Sequence, residues 1–254
     1  MRQDLLAFDA IGNYYDLLYH DKNYSEETAY ILNLLERLSF SGKDVLEFGS
    51  GTGQHGRLLA KNGLNILGVE LSDTMLARSF DTDGFKAVKG DARTFNTSQK
   101  FDLVLSLFHV MSYQVTDLDI EAVFRNAFNH LNKNGILIFD CWFSPAVHHQ
   151  RPSTRVKRIS NPDFEIFRIA EPEIIDKKNL VNVNYTVFMK DKESGLIQSF
   201  KEQHKMRHFS IPEMDRIAIQ SGFEQVNVES FLDRKTPDTS TWGVCFAYRK
   251  KSNE

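Results

Sequence analysis

The sequence predicts an α/β protein with a doubly wound, mostly parallel sheet of seven strands and an antiparallel β insert after the fifth strand. Two observations support this fold class. Between residues 42 and 143, apolar runs typical of buried parallel strands alternate with segments of helical periodicity. Between residues 154 and 206, four β-like stretches follow one another without a helical segment, which is typical of an antiparallel sheet.

The strands and helices are placed by apolar runs and by residues that begin or end a helix. The seven strands are KDVLEFG, LNILGVE, FKAVKGD, KFDLVLSLF, GILIFDCW, EQVNVESF and TWGVCFAYRK. Ser25, Ser72 and Ser210 are expected to cap helices at their N-termini. Asn134 and Gly135 are expected to end the helix that precedes the fifth strand. In the insert, VNVNYTVF alternates apolar and polar residues, and KDKESG is predicted to form a hairpin turn.

Composition and charge limit the classes of function. Of 254 residues, 41% are hydrophobic and 26% are charged, which is ordinary for a globular protein. The net charge is −3 and no stripe of lysine and arginine stands out, so a nucleic-acid partner is not indicated. No apolar run reaches about 18 residues, so no membrane span is predicted, and the first residues lack the apolar stretch of a signal peptide.

The cysteines and histidines give no pattern typical of a metal site. Cys141 and Cys245 lie far apart in the sequence and are expected to be reduced, buried thiols in a cytoplasmic protein. The pairs His148–His149 and His204/His208 are not joined by an acid or a cysteine in a recognised ligand pattern. No metal site is therefore predicted.

A glycine cluster follows the first predicted strand in VLEFGSGTGQHGRLLA, residues 45–60. Gly51, Gly53 and Gly56 match G-x-G-x-x-G, a pattern that lets backbone approach a nucleotide but is weak alone. Glu47 stands two residues before Gly49, so the full stretch reads E-x-G-x-G-x-G. Together with the acids that follow the next two strands, Glu47 indicates which nucleotide-like ligand the loop binds.

Acids follow three successive parallel strands. Glu47 ends the first strand, Glu70 ends the second, and Asp91 follows the third. They are expected to line the carboxyl edge of a Rossmann-like sheet, where such folds bind ligands. S-adenosylmethionine (SAM) carries an ammonium, a ribose diol and an adenine amine, all of which suit carboxylate acceptors.

The set of motifs resembles the class I SAM-dependent methyltransferases. VLEFGSGTG, GVELS, GDAR, FDLVLSLFHVMSY and LNKNGILIFD are similar to that family's consecutive motifs, in order, over roughly residues 40–142. The competing interpretation is a nicotinamide-dependent dehydrogenase with the same glycine pattern. Such an enzyme would normally lack Glu47 two residues before the loop and has no need of the acid in GDAR.

The resemblance implies a cofactor-binding role for ten residues: Glu47, Gly49, Gly51, Gly53, Glu70, Leu71, Met75, Asp91, Ala92 and Phe108. Glu47 would meet the methionine end of SAM, and Glu70 would accept the ribose hydroxyls. Met75 would cover the adenine, Asp91 would accept the adenine amine, and Ala92 would supply a backbone contact. The alternatives are helix core for Met75 and a turn or cap acid for Glu70 and Asp91.

The segment after the fourth strand is expected to lie near the transferred methyl group. His109 is the best-placed titratable group and could orient or deprotonate a nucleophile, because histidine titrates near neutral pH. Met111 and Tyr113 are predicted to contact the substrate. The alternative for His109 is a pocket-wall or capping histidine.

A closer resemblance links NYYDLLYHDKNYSEE and FDCWFSPAV to N-methyltransferases of 3-amino-deoxyhexoses attached to nucleoside diphosphates. It implies a catalytic and substrate role for Tyr14 and substrate contacts for Tyr24 and Trp142, with Tyr19 a further candidate. Core packing is the alternative for each. The cations Arg151, Arg155, Lys157 and Arg158 could meet a diphosphate or could form a solvated face.

The domains follow from these motifs. We expect an N-terminal helical cap over residues 1–41 and a SAM-binding methyltransferase core over 42–143 and 209–254. Residues 144–208 would form the insert, acting as a substrate lid or a dimer surface.

The function predicted is methyl transfer from SAM to a small polar acceptor, best an amine such as an aminosugar nucleotide. One alternative is a small-molecule O-methyltransferase with His109 or a tyrosine as base, and another is a non-catalytic SAM-binding protein. We expect a small-molecule substrate, no nucleic-acid or membrane partner, and leave a homodimer open.

Overall fold

The computed structural model describes residue 8 and residues 11–251. The strands of this part of the chain are β1 (Asp44–Phe48), β2 (Asn65–Glu70), β3 (Phe85–Lys89), β4 (Phe101–Ser106), β5 (Leu131–Phe143), β6 (Arg155–Ser160), β7 (Phe164–Ile175), β8 (Leu180–Asp191), β9 (Ile197–Phe209), β10 (Phe223–Ser230) and β11 (Gly243–Lys250). The helices are α1 (Tyr15–Leu18), α2 (Tyr24–Arg37), α3 (Gln54–Ala60), α4 (Asp73–Leu76), α5 (Asp117–His130), α6 (Ser144–His149) and α7 (Ile211–Gln220).

The central sheet is parallel except at one end. Its strand order is β3-β2-β1-β4-β5-β11-β10, in which β5–β11 and β11–β10 are the antiparallel pairs. The predicted α/β class, with a mostly parallel sheet and added antiparallel strands, is confirmed. The chain passes from β1 outward to β2 and β3 and then returns to β4 on the other side of β1. A crevice for a ligand is expected at this reversal, beyond the carboxyl ends of the strands.

The insert forms an antiparallel meander of β6, β7, β8 and β9. Two residue pairs, Trp142–His208 and Phe143–Phe209, connect β9 to the end of β5 in parallel. Within the described residues the hydrogen-bonded network therefore has eleven strands, because the four strands of the insert join the central sheet, so a separate sheet of seven strands is not confirmed. The difference arises because β5 continues past the core sheet and pairs with the insert, which strand patterns alone do not reveal.

The core lies on both faces of the central sheet because successive side chains of a strand point to opposite faces. In β4, Val104 packs into the cluster that includes Phe124 and Phe139, whereas Leu103 and Leu105 pack into the cluster on the other face. All of these side chains are buried. Burial on both faces explains why the parallel strands are continuous apolar runs in the sequence.

Local signals placed most helix ends, with three corrections. Ser72 and Ser210 cap α4 and α7 as predicted. At α2 the cap is Asn23 and not Ser25, because the Asn23 side chain accepts the Glu26 amide. The helix α5 ends at His130, four residues before the predicted stop at Asn134, because Leu131 already pairs with Phe101 in the sheet. The short helix α6 was not predicted.

The cap of α7 offers a test of stability. Ser210 and Glu213 form a reciprocal capping box, in which the side chain of each accepts the backbone amide of the other at 3.4 Å. Ser210→Ala should lower the free energy of unfolding by about 1 kcal/mol, because one amide of the first turn loses its acceptor. Chemical denaturation measures this change. Ser199→Ala, at an exposed site in β9, is the control, and an equal loss in both variants would contradict the capping role.

Candidate active site

A cavity of about 270 Å³ opens beyond the carboxyl ends of the parallel strands. It brings together ten residues that the sequence predicts for the site: Gly49, Gly51, Glu70, Leu71, Met75, Asp91, Ala92, Phe108, Tyr24 and Tyr113. Six other predicted residues are not part of its wall: Glu47, Gly53, His109, Tyr14, Met111 and Trp142. The first group forms the floor and walls of one continuous pocket, so each of its members can contact the same ligand.

The loop after β1 presents bare backbone to the cavity. Gly49 has a left-handed backbone with φ of +70°, and a Cβ atom there would lie 2.6 Å from Val110 Cγ2. A Cβ on Gly51 would lie 3.2 Å from the terminal methyl of Met75. Glycine is therefore required at position 49 for both its backbone conformation and the space around it. The loop leaves room for a ligand to lie directly against the peptide groups.

Glu70 connects this loop to the turn after β2. One of its carboxylate oxygens accepts the Gly51 amide at 2.8 Å, and the other accepts the Ser72 amide at 2.7 Å. Burial raises the pKa of Glu70, whereas the backbone amides that it accepts act to lower it. Each oxygen has a second lone pair, so the carboxylate can still accept two hydroxyl groups from the cavity side. This geometry fits the predicted ribose contact.

Glu47 lies behind the glycine loop and not in the cavity wall. It is 2% exposed, and its Oε2 atom lies 2.7 Å from where a Cβ of Gly56 would stand. That oxygen has no hydrogen-bond partner in the described part of the structure. Burial, with a contribution from the nearby Glu70 charge, raises the pKa of Glu47 to about 8. Its contact with the methionine end of a cofactor stays a prediction.

Asp91 lies in the cavity wall with its carboxylate already paired. Arg93 Nε lies 3.0 Å and 3.1 Å from the two oxygens of Asp91, and another Arg93 nitrogen lies 2.7 Å from Asp119. Burial acts to raise the pKa of Asp91, but the bonds to Arg93 outweigh burial and lower it. Asp91 is thus a fixed anion at the cavity edge. Arg93, which the sequence interpretation left without a role, sets its orientation.

The backbone bends sharply after β4. Phe108 and His109 both have left-handed conformations, with φ of 63° and 61°, which cost non-glycine residues roughly 1–3 kcal/mol each. The buried Asp140 stabilises the bend, because both of its oxygens accept the His109 amide at 3.2 Å and one lies 2.6 Å from His109 Nδ1. Burial acts to raise the pKa of Asp140, and the contacts to His109 outweigh it and lower the pKa. Phe108 consequently lies in the cavity wall.

Five aromatic side chains also line the cavity: Phe8, Tyr15, Tyr24, Phe108 and Tyr113. Lys22 Nζ lies 3.9 Å from the centre of the Phe108 ring and pairs with Glu27. Glu27 in turn lies 2.7 Å from His55 Nε2 and so links the N-terminal segment to α3. The N-terminal segment closes over the glycine loop through these contacts.

The predicted residues outside the cavity wall have identifiable surroundings. Met111 is fully buried in the hydrophobic core, and Tyr14 stacks on Phe200 of the insert with ring centroids 5.8 Å apart. Trp142 lies between His109 and Trp242, at the contact between core and insert. Their proposed substrate contacts stay predictions.

The sequence interpretation missed three neighbours of the predicted residues. Tyr15, adjacent to Tyr14, lies in the cavity wall, as do His55 and Arg93. Tyr15 stands in the same NYYDLLYH stretch, and the helical phase of α1 could have separated it from Tyr14. Arg93 is part of the quoted GDAR motif. His55 carries no local signal, because its role depends on Glu27 of another helix.

The described residues contain no group of three or more histidine, cysteine or acidic side chains that could hold a metal ion. In the same part of the chain, no helix combines the length and the hydropathy needed to cross a bilayer.

Comparison with known proteins decides the family. A family model described as a methyltransferase domain matches residues 45–135. An uncharacterised methyltransferase of Bacillus pumilus is 30% identical over 163 residues, which cover 61% of this chain and 75% of that protein. The chain belongs to the methyltransferase family. The predicted enzyme class and its cofactor SAM are thereby confirmed.

Two further proteins resemble this methyltransferase over most of its length. The dTDP-3-amino-3,6-dideoxy-alpha-D-glucopyranose N,N-dimethyltransferase of Streptomyces fradiae is 25% identical over 84% of this chain and 83% of that protein. The SAM-bound amino pentose methyltransferase CalS10 from Micromonospora echinaspora superposes with a TM-score of 0.76 at 21% identity, covering 98% of this chain and 100% of the other. The structural similarity to CalS10 shows that the two chains share a fold.

The cavity of the methyltransferase fits SAM. The bare backbone at Gly49 and Gly51 leaves space for close approach, and Glu70 has free lone pairs for a diol. Met75 lies against the loop where an adenine ring needs an apolar surface. Glycine, acid and apolar groups thus stand in one pocket.

Replacing Gly49 tests this fit. Gly49→Ala should weaken the binding of S-adenosylhomocysteine at least about tenfold, because the new methyl displaces Val110 into the cavity. Gly63→Ala is the matched control, since Gly63 also has a positive φ, +89°, but nothing lies within 4 Å of its Cβ position. Isothermal titration calorimetry measures both. Equal affinity in the two variants would contradict the role of the loop.

Glu47 predicts a pH dependence of stability. Its pKa of about 8 in the folded protein exceeds the ordinary 4.5, so the folded state binds more protons than the unfolded state between these values. The free energy of unfolding should therefore fall as pH rises through this window, by up to about 1.4 kcal/mol per pH unit. Glu47→Gln should remove this contribution.

Denaturant unfolding between pH 5 and pH 8 measures the slope. Glu224→Gln, at an exposed position of β10, is the control and should retain the slope of the original protein. An unchanged slope in Glu47→Gln would show that Glu47 does not take up a proton on folding.

Proposed function

We propose that this methyltransferase transfers the methyl group of SAM to the amino group of a small polar acceptor, such as the aminosugar of a nucleotide-linked sugar. The observation that carries the proposal is the mixed lining of the cavity. Glycine backbone, Glu70 and Asp91 line it together with aromatic side chains. The first set suits a nucleoside, and the second suits a water-free reaction site beside it.

The relatives support an amine as acceptor. The Streptomyces fradiae relative is named as an N,N-dimethyltransferase of an aminosugar nucleotide, and two structural neighbours are named as amino pentose and sugar N-methyltransferases. An amine also demands little of the protein. When bound, SAM supplies an electrophilic methyl group on a sulfonium, an excellent leaving group, so positioning the nucleophile accounts for much of the catalysis.

The residues of this chain would position the acceptor and exclude water. Phe108 and Tyr24 present aromatic surface around the reaction site, and a cationic amine can lie against such faces. His109 is held by Asp140 after β4 and outside the cavity wall, so its imidazole would take a proton from the product ammonium as the product leaves. Tyr14 would support the acceptor from the N-terminal side.

The domains predicted from the sequence are consistent with these roles. Residues 42–143 and 209–254 would form the SAM-binding core, residues 1–41 the cap, and residues 144–208 a substrate lid. The insert contacts the cap directly, since Lys157 Nζ donates to the Leu18 carbonyl at 2.7 Å and lies 2.6 Å from Asp21. Arg151 pairs with Asp176, at 2.5 Å, so it would have to exchange partners to meet a diphosphate.

An acceptor panel tests the proposal. We expect methyl transfer to nucleotide-linked aminosugars and none to the same sugars with a hydroxyl in place of the amine. His109→Asn should lower kcat for an amine about tenfold or less, because His109 would act on the product ammonium, after the neutral amine has attacked. Mass spectrometry of the products and pH–rate profiles measure both effects. His149→Asn, at an exposed histidine, is the control.

Two outcomes would contradict the proposal. Methylation of the hydroxyl sugar, together with loss of most activity in His109→Asn, would indicate an O-methyltransferase with a histidine base. Binding of SAM without turnover of any acceptor would indicate a non-catalytic SAM-binding protein.

A further inference from the structure

A line of three polar side chains leads from the cavity wall into the insert. Tyr113, in the 3₁₀ turn Val110–Tyr113 after β4, lies in the cavity wall. Its hydroxyl lies 2.7 Å from His204 Nδ1, and His204 Nε2 lies 2.6 Å from Glu202 Oε1. Both His204 and Glu202 are on β9. The core and the insert therefore share one hydrogen-bonded chain that ends at the cavity.

Hydrogen-bond chemistry fixes the direction of this chain. With Glu202 ionised, its carboxylate only accepts, which assigns the proton on His204 to Nε2, facing Glu202. Nδ1 then carries a lone pair and accepts the hydroxyl of Tyr113. The groups thus follow the order acid, imidazole, hydroxyl. In nucleophilic and general-base catalysis, a histidine in this arrangement receives a proton from the hydroxyl.

The chain is shielded from water. His204 is 4% and Glu202 5% exposed. Phe8 covers it from the N-terminal segment: its amide donates to Glu202 and its ring lies 4.8 Å from the His204 ring. A buried hydrogen bond to an ionised group is strong and directional, which keeps the three groups in line.

We infer that Tyr113, His204 and Glu202 form a proton relay that takes a proton from the methyl acceptor. The inference rests on the proposed function, because it assigns a proton path to the acceptor at the same cavity. Tyr113 is the catalytic residue, since among the three members of the chain it is the one that lies in the cavity wall. His204 and Glu202 are positioning residues that act through it.

The proton balance is closed within the chain. The acceptor ammonium gives a proton to the Tyr113 oxygen while the Tyr113 proton moves to His204 Nδ1. The acceptor becomes a neutral amine, Tyr113 is unchanged, and His204 becomes an imidazolium paired with the Glu202 carboxylate. After the product leaves, the imidazolium returns the proton through Tyr113 to water. The same path would take the proton of a hydroxyl acceptor.

The relay explains how a deeply placed tyrosine can act. Burial raises the pKa of Tyr113 well above its ordinary value, with smaller contributions from Tyr185 and Tyr19, so a free tyrosinate is disfavoured. Concerted transfer to His204 avoids that anion. The other titratable groups packed around His204 are Tyr185 on β8, whose ring centroid lies 5.0 Å away, and Glu202 on its own strand.

Nuclear magnetic resonance of the imidazole nitrogens tests the chain without any acceptor. The original protein should show His204 as the Nε2–H tautomer, with a downfield proton signal on Nε2. Glu202→Gln should remove that signal, and Tyr113→Phe should shift Nδ1 alone. Tyr185→Phe is the matched control, because it removes a hydroxyl beside the same ring but none that bonds to His204.

Kinetics with any acceptor that the panel identifies, amine or hydroxyl, tests proton transfer. Tyr113→Phe and His204→Asn should lower kcat by about 100-fold or more, with the KM for SAM nearly unchanged, and Glu202→Gln should lower kcat less. The acid limb of the kcat/KM profile should shift in His204→Asn. S-adenosylhomocysteine affinity reports whether each variant retains the folded cofactor site.

The two arms separate this inference from the proposed function. The Nδ1–H tautomer in the original protein, or equal kcat in Tyr113→Phe and Tyr185→Phe, would overturn the relay. A panel in which only hydroxyl acceptors react would overturn the amine proposal and leave the relay supported if Tyr113→Phe loses that activity. Absence of the Nε2–H signal of His204 together with turnover of an amine would overturn the relay and leave the amine proposal supported.

Discussion

The cofactor site of this methyltransferase depends on the two hydrogen bonds that the Glu70 carboxylate accepts from the Gly51 and Ser72 amides. They connect the loop after β1 to the turn after β2, so the glycine backbone and the Glu70 carboxylate keep a fixed distance. A buried carboxylate is costly, and here the backbone amides offset part of that cost. The same two bonds thus stabilise the fold and orient the Glu70 carboxylate.

Much of this arrangement follows from local sequence signals. The apolar runs predict the strands. Because parallel strands end at one edge of a sheet, the position of Glu70 at that edge, at the end of β2, is also predictable. The caps Ser72 and Ser210 are visible from single residues. The glycine at position 49 is predictable because tight turns next to ligands need positive φ. These features depend on neighbours only a few residues away, which a sequence displays directly.

The remaining features depend on distant partners and could not be predicted. The bond between Tyr113 and His204 joins residues 91 positions apart, and it exists only because the insert folds back onto the core. The left-handed backbone of Phe108 and His109 could not be predicted, because neither residue is a glycine and the conformation is stabilised by Asp140 from another strand. Sequence spacing therefore located the segment at the carboxyl end of β4 but not the direction of its side chains.

Just two residue pairs hydrogen-bond β5 to β9, within the part of the chain that the structure describes. The parallel ladder that shapes the SAM pocket is complete without them. The meander therefore reaches the cavity through side chains such as His204, which contacts Tyr113 and Phe8, and not through the strand pairing of the central sheet. Substitutions in the meander would then alter side chains beside the cavity and leave the strand pairing that carries the glycine loop intact.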